Sequence, residues 1–197
     1  MLPSRLLPTL LVAACIPVLT SPKGADEPAG DWVAPENDWG TCDGPPAGLV
    51  GEGLAVGEVA PDFRLLDQYG KEVSLWQFHG CTVVLDFSTM WCAPCQELAE
   101  EAQAIADDYR DRGLVYLTVM PQDLGSDPPD QEELLSWSES FELFEPILSD
   151  DEGYTYRLVN GSRGFPAVLI VGADGKVLVD VPTVTDEGIR AAIDDAL

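Results

Sequence analysis

Histidine is nearly absent from this 197-residue chain, which has only His79. Basic residues are scarce too: 10 Lys and Arg stand against 35 Asp and Glu, for a formal net charge of −25. One His cannot build an imidazole metal cluster, so a zinc site would need thiolates or carboxylates alone. The shortage of cations argues against nucleic acid, whose binding depends on Lys and Arg neutralising phosphates. It also disfavours anionic membrane surfaces. No charge-free apolar run reaches the roughly 20 residues a membrane-spanning helix needs. Yet 46% of the residues are hydrophobic, which sets the chain apart from an acidic disordered tail. The length suits one well-packed domain rather than two large ones. Against this background five Cys stand out.

The first segment reads as an address. One cation, Arg5, precedes the apolar run Leu6-Leu7-Pro8-Thr9-Leu10-Leu11-Val12-Ala13-Ala14, the size of a secretory signal core. Val12-Ala13-Ala14-Cys15 resembles a bacterial lipobox, in which small residues precede a Cys that is lipidated and begins the mature chain. That resemblance implies a signal peptide over residues 1–14, lipidation of Cys15, and an exported, membrane-anchored lipoprotein facing the bacterial periplasm. The alternatives are an ordinary secretory signal or an uncleaved anchor continuing to Leu19. Residues 15–53 then become rich in Pro, Gly, Asp and Glu, and no helix or strand period survives. They read as an extended tether, with Trp32 and Trp39 as candidate docking points.

Order begins near Leu54. Val83-Val84-Leu85-Asp86-Phe87 is a short, largely apolar run with β-branched residues, as in a strand buried on both faces. Trp91-Cys92-Ala93-Pro94-Cys95 follows, and after it a helical pattern over residues 96–112, with Leu98, Ala102, Ile105 and Tyr109 on one stripe. Cys95 continues that stripe and turns inward, whereas Cys92 caps the helix start and is expected to be exposed. Unpaired N–H groups and the positive end of the helix dipole stabilise a thiolate there. Such a thiolate attacks a disulfide, and Cys95, one turn on, resolves the mixed disulfide. The competing reading of a CxxC is half a zinc site or a structural pair, but no second CxxC or His cluster completes it. Asp86 lies inside an apolar strand, so desolvation should raise its pKa and let it shuttle the proton of Cys95. A strand-end Asp bonded to backbone is the plainer alternative.

Residues 83–95 look like the active-site stretch of thioredoxin-fold proteins. Gly57-Glu58-Val59-Ala60-Pro61-Asp62-Phe63 and Leu66-Asp67-Gln68-Tyr69-Gly70-Lys71-Glu72-Val73 resemble the redoxin branch shared by TlpA/ResA-type oxidoreductases and peroxiredoxins. Gly164-Phe165-Pro166, followed by Ala167-Val168-Leu169-Ile170-Val171, resembles the cis-proline and its strand. The resemblance covers residues 54–197. It implies an α/β thioredoxin-like three-layer fold: a central mixed β-sheet flanked by helices, with an N-terminal β-hairpin extension. It further implies that Cys92 is the nucleophile, Cys95 the resolving thiol and Asp86 the buried acid. Pro166 would be cis and lie against the disulfide, leaving the preceding carbonyl free for an extended substrate. Trp91 would shield the disulfide unless it packs in the core, and Phe165, Ala93 and Pro94 are the candidate substrate contacts. One departure stands out: thioredoxins pair the buried acid with a Lys on the next strand, and Leu114-Val115-Tyr116-Leu117-Thr118-Val119 has none.

The remaining pattern predicts a helix over residues 130–143, a hairpin of residues 167–171 and 176–181, and a final helix capped by Thr185. Residues 123–152 hold no Lys, Arg or His. They form a solvated acidic face, a docking face for a cationic partner, or a surface suited to salt. His79 reads as a turn residue, and Asn160-Gly161-Ser162 is a glycosylation sequon by pattern alone. Cys42 and Cys81 are the unassigned pair of an exported protein, expected as a disulfide pinning the tether to the domain, with two free thiols as the alternative.

The leading function is a membrane-tethered thiol–disulfide oxidoreductase acting on protein thiols and disulfides, such as apocytochrome or copper-site cysteines, and recharged by a membrane electron donor. Its redox unit is the Cys92–Cys95 dithiol itself, with no separate cofactor and no metal expected. The second reading is a peroxiredoxin-type peroxidase with Cys92 as peroxidatic residue; Thr89 and Arg163 fit it, but Leu85 stands where that pattern has Pro. The third is a redox-inactive binding module.

Overall fold

The computed structural model describes residues 32–155 and 164–197. Cys15 and the signal-like segment, the Asn160 sequon and Arg163 lie outside them. A seven-stranded mixed sheet runs in the order β2-β1-β5-β4-β3-β6-β7. Its strands are β1 (Arg64–Asp67), β2 (Glu72–Ser74), β3 (Thr82–Phe87), β4 (Leu114–Met120), β5 (Ile147–Ser149), β6 (Ala167–Val171) and β7 (Val177–Asp180). Parallel pairing joins β3 to β4 and β4 to β5; the β1–β2 hairpin, β1–β5, β3–β6 and β6–β7 are antiparallel. This is the expected mixed sheet with a hairpin extension before the Cys-bearing strand.

Strand β3 is buried along all six residues, and its alternation feeds two apolar layers. Val84 joins Tyr116, Val168 and Ile170 on the face covered by α1 (Ala93–Arg110), α2 (Gln131–Ser140) and α3 (Asp186–Ala196). Val83, Leu85 and Phe87 join Leu117, Val119, Leu169 and Val171 on the opposite face. There Ala60, Phe63, the 3-10 turn Leu75–Phe78 and Tyr154 form the cover. Helix α1 starts three residues before the predicted stretch and ends two earlier. Helix α2 is shorter than expected because Asp130 and Glu133 close a reciprocal capping box at its start and Phe141 ends it. Thr185 caps α3 by accepting from the Gly188 N–H at 3.2 Å. Gly175, at φ +79°, makes the turn of the β6–β7 hairpin.

The segment read as an extended tether is docked on the domain from Trp32 onward, and both candidate docking points, Trp32 and Trp39, make contacts. The indole N–H of Trp32 donates to Ser74 Oγ (3.1 Å), and that of Trp39 to Asp67 Oδ2 (2.5 Å). Asp67 is fully buried and also accepts the Tyr69 and Lys71 N–H groups, so one carboxylate shapes the hairpin turn and holds the strap. Asn37 donates to the Glu72 carbonyl at 2.8 Å. A disulfide joins Cys42 to Cys81, with Cα atoms 6.0 Å apart. Further along, Val59 bridges to Lys176, and backbone bonds run between Gly57, Glu58 and Val177. Low-hydropathy composition concealed this, because the strap is fastened by single long-range contacts rather than by a periodic face.

The Cys42–Cys81 bridge closes a separation of 39 residues, which in the chain-entropy account stabilises the fold by about 4 kcal/mol. The double variant Cys42→Ser/Cys81→Ser is therefore expected to lose a few kcal/mol in denaturant unfolding and to become sensitive to proteolysis between residues 32 and 53. Unchanged stability would show that the noncovalent strap contacts suffice.

Candidate active site

Cys92 is the N-cap of α1, with extended backbone at φ −88° and ψ 111°. Its Sγ accepts from the Cys95 N–H at 3.3 Å, and its carbonyl accepts from Cys95 and Gln96. Pro94 falls in the first helical turn, where its missing N–H leaves no intrahelical bond unmade. Cys95 lies on the buried stripe with Leu98, Ala102 and Ile105. The two sulfurs form a disulfide across a Cα separation of 5.2 Å.

One expectation about the mouth of the site needs correction. Cys92 is not exposed: only 5% of it is accessible. The rings of Trp91 and Phe165 meet edge to face beside it at 6.3 Å, a cover assembled from two distant segments. The carbonyl before Pro166 faces the disulfide, with Phe165 O 3.3 Å from Cys92 Sγ. In the disulfide that sulfur has no proton to donate, so this is a packing contact; after reduction a Cys92 thiol can donate to the same oxygen. The Phe165–Pro166 peptide is cis. Trp91 is 49% exposed rather than a core residue, and its indole N–H donates to Gln122 Oε1 at 3.0 Å.

Asp86 is buried on the α1 side of the sheet. Its carboxylate accepts from Ser88 Oγ (2.6 Å) and Tyr116 Oη (3.2 Å), so the plainer backbone-bonded alternative does not describe it. Burial pushes its pKa up to about 6, against the opposing pull of the Ser88 and Tyr116 hydrogen bonds. Burial and the neighbouring Asp86 carboxylate in turn drive the Tyr116 hydroxyl well above its ordinary value. Tyr116 thus supplies a neutral hydrogen-bond partner from β4, the strand where thioredoxins carry a Lys. Asp62, at the strap end of the domain, is raised to about 6 by burial as well, despite accepting from Ser74 and Trp76.

Sequence reasoning missed Ser88, Tyr116, Gln122 and Gln96, whose side-chain amide donates to the Met90 carbonyl at 2.8 Å. Ser88 had a signal, since it lies two residues beyond Asp86 and shares its strand face. Thr89, the residue suited to a peroxidase, is buried, and its hydroxyl has no partner among the described residues. His79 ends the 3-10 turn, and its carbonyl accepts from Asp43 and Gly44 of the strap. No group of three or more His, Cys, Asp or Glu among the described residues could hold a metal ion.

The Cys92–Cys95 pair stands at the start of α1, with buried Asp86 on the strand before it and cis-Pro166 against Cys92. The AhpC/TSA family model matches residues 56–179. The chain belongs to the AhpC/TSA family. The thiol-disulfide oxidoreductase ResA of Geobacillus thermodenitrificans is 30% identical over 138 residues, covering 70% of this chain and 75% of that protein. The thioredoxin-like protein YneN of Bacillus subtilis is 26% identical over 145 residues, covering 72% and 81%. Among solved structures, the thioredoxin domain of a thiol-disulfide oxidoreductase from Bacteroides vulgatus superposes with a TM-score of 0.61 at 21% identity, covering 73% of this chain and 99% of that domain. That likeness establishes the thioredoxin-like fold. Within the AhpC/TSA family the chain is a ResA-like redoxin, and its enzyme class is that of the thiol–disulfide oxidoreductases.

A carboxyl group whose folded pKa lies above its unfolded value stabilises the fold below that unfolded value and loses the contribution as pH rises through the folded one. For Asp86 this places the loss between about pH 4 and 7. Asp62 acts in the same direction. Oxidised protein is thus expected to be less stable at pH 7.5 than at pH 5, each carboxyl contributing on the order of 1 kcal/mol. In Asp86→Asn that difference shrinks to the share of Asp62, as unfolding curves at the two pH values will show. An undiminished difference would mean that Asp86 does not titrate in this range.

Proposed function

We propose that the chain reduces disulfides in partner proteins while held at a membrane, on the periplasmic side, through a lipidated Cys15. The observation that carries the reading is the Cys92–Cys95 pair at the start of α1, set against cis-Pro166. In the reduced enzyme the Cys92 thiolate attacks one sulfur of the substrate disulfide, and the other substrate sulfur leaves as a thiolate. Asp86 accepts the Cys95 proton. Cys95 then attacks Cys92 Sγ, the second substrate thiolate departs, and the Cys92–Cys95 disulfide remains. Two electrons have passed to the substrate, and a thiol donor at the membrane restores the dithiol. Cysteines of apocytochromes or copper sites are substrates that suit such a reductant.

Cysteine use supports export. Two disulfides take up Cys42, Cys81, Cys92 and Cys95, leaving Cys15 for the lipid. A structural bridge such as Cys42–Cys81 belongs in an oxidising compartment. No helix of the described residues is long and apolar enough to cross a membrane. The peroxidase reading has less behind it: Leu85 replaces the expected Pro, and Cys95 already closes on Cys92.

Cys92→Ser is expected to reduce disulfide exchange to the uncatalysed background, and Cys95→Ala to accumulate mixed disulfides on Cys92 that mass spectrometry identifies. Peroxide turnover without disulfide exchange would support the peroxidase instead, and activity in neither assay a binding module. In cells, Cys15→Ser should move the protein from the membrane fraction to the soluble one; retention at the membrane would refute the lipid anchor.

A further inference from the structure

A groove of about 360 Å³ opens beside the dithiol, lined by Met90 and Gln96 from the active-site segment, Leu124 from the loop after β4, and Trp137 and Phe141 from the α2 end. The loop is fastened to the active site. Gln122 O accepts the Met90 N–H, and Gln122 Oε1 the Trp91 indole N–H. Asp123 Oδ1 accepts the Gly125 and Asp127 N–H groups at 2.6 and 3.0 Å, and the Asp123 N–H donates to Asp127 O at 2.7 Å. The loop therefore holds Leu124 in place although that side chain is 77% exposed. A large apolar side chain fixed in water on a loop tied to the active-site segment is surface prepared for contact. At the base of the groove the buried indole N–H of Trp137 has no hydrogen-bond partner among the described residues.

The charge around this groove has one sign. Glu133, Ser136 and Ser140 line its α2 side. Glu132 and Glu139 lie four residues before and three after Ser136, so they flank it on the helix surface. Asp123 and Asp127 sit on the Leu124 loop, and residues 123–152 contain no cation. None of the residues lining the groove is basic.

We propose that this groove selects the substrate: it receives a segment of the disulfide-bearing protein that carries an apolar side chain flanked by Lys or Arg. The apolar side chain packs against Leu124, Trp137 and Phe141 while its cationic neighbours face the acidic rim. The acidity noted in the sequence then acts on encounter and orientation, and the apolar contact on residence. This inference rests on the protein-disulfide reading above and specifies its substrate class.

Three short peptides, each closed by an internal disulfide, test it with the reduced protein. One has a Leu flanked by Lys near its disulfide, the second replaces that Leu by Ser, and the third replaces Lys by Glu; glutathione disulfide serves as the small substrate. The first peptide is expected to be reduced about tenfold faster than either of the others, the factor that burial of one apolar side chain supports. Its advantage over the Glu peptide should shrink in 1 M salt. Leu124→Ser should lose about tenfold on the first peptide while reducing glutathione disulfide at the wild-type rate. Equal rates on all three peptides, or a preference for Lys that ignores the Leu, would overturn the groove as the selector. If the wild-type protein reduces neither peptides nor glutathione disulfide, the oxidoreductase reading itself fails.

Discussion

Strand β3 is buried on both faces and paired along both edges, in register with β4 and β6 over its length. A strand held so completely fixes where the chain leaves the sheet, and Cys92 inherits that position as the N-cap of α1. The same pairing with β6 brings the segment around Phe165 and Pro166 across from the sulfur, because Phe87 lies opposite Ala167. Cys92, Cys95 and cis-Pro166 thus owe their meeting to one strand. None of them needs a dedicated scaffold of its own.

That strand also carries the electrostatic asymmetry of the site. Asp86 lies where water cannot solvate its charge, so it holds its proton to higher pH than a surface carboxylate. Its partners are hydroxyls rather than a cation, which leaves desolvation unopposed by any ion pair. A Lys in the place of Tyr116 would favour the ionised carboxylate; the Tyr keeps the group poised nearer to neutral pH, in the range where a proton acceptor for a thiol is useful.

How much of this could be read from the sequence depended on how far each interaction reaches along the chain. Val83 to Phe87, the Cys pair and the stripe from Cys95 to Tyr109 are local patterns, and they gave strand, cap and helix within a few residues. Desolvation of Asp86 followed from its apolar neighbours. Tyr116 was not legible, since it meets Asp86 only through the β3–β4 register. Burial of Cys92 was missed for a related reason, since Trp91 and Phe165 come together from segments far apart. In the strap, Trp32, Trp39 and the Cys42–Cys81 pair were legible as fastenings, but the residues that receive the two indoles were not. Trp32 and Trp39 find acceptors 42 and 28 residues away, and a Pro- and Gly-rich composition carries no period that would announce them.

The strap has a consequence for how two copies of such a sheet could meet. The sheet ends on one side with β2 and on the other with β7, and open strand edges are templates onto which a neighbouring chain can add a strand. Asn37 occupies a β2 carbonyl at one border, while at the other Gly57 and Glu58 bond to Val177, the first residue of β7, and Val59 bridges to Lys176 just before it. One N-terminal stretch therefore occupies part of both borders of the sheet. The residues that fasten the strap thus leave a neighbouring copy fewer backbone groups to pair with at either edge.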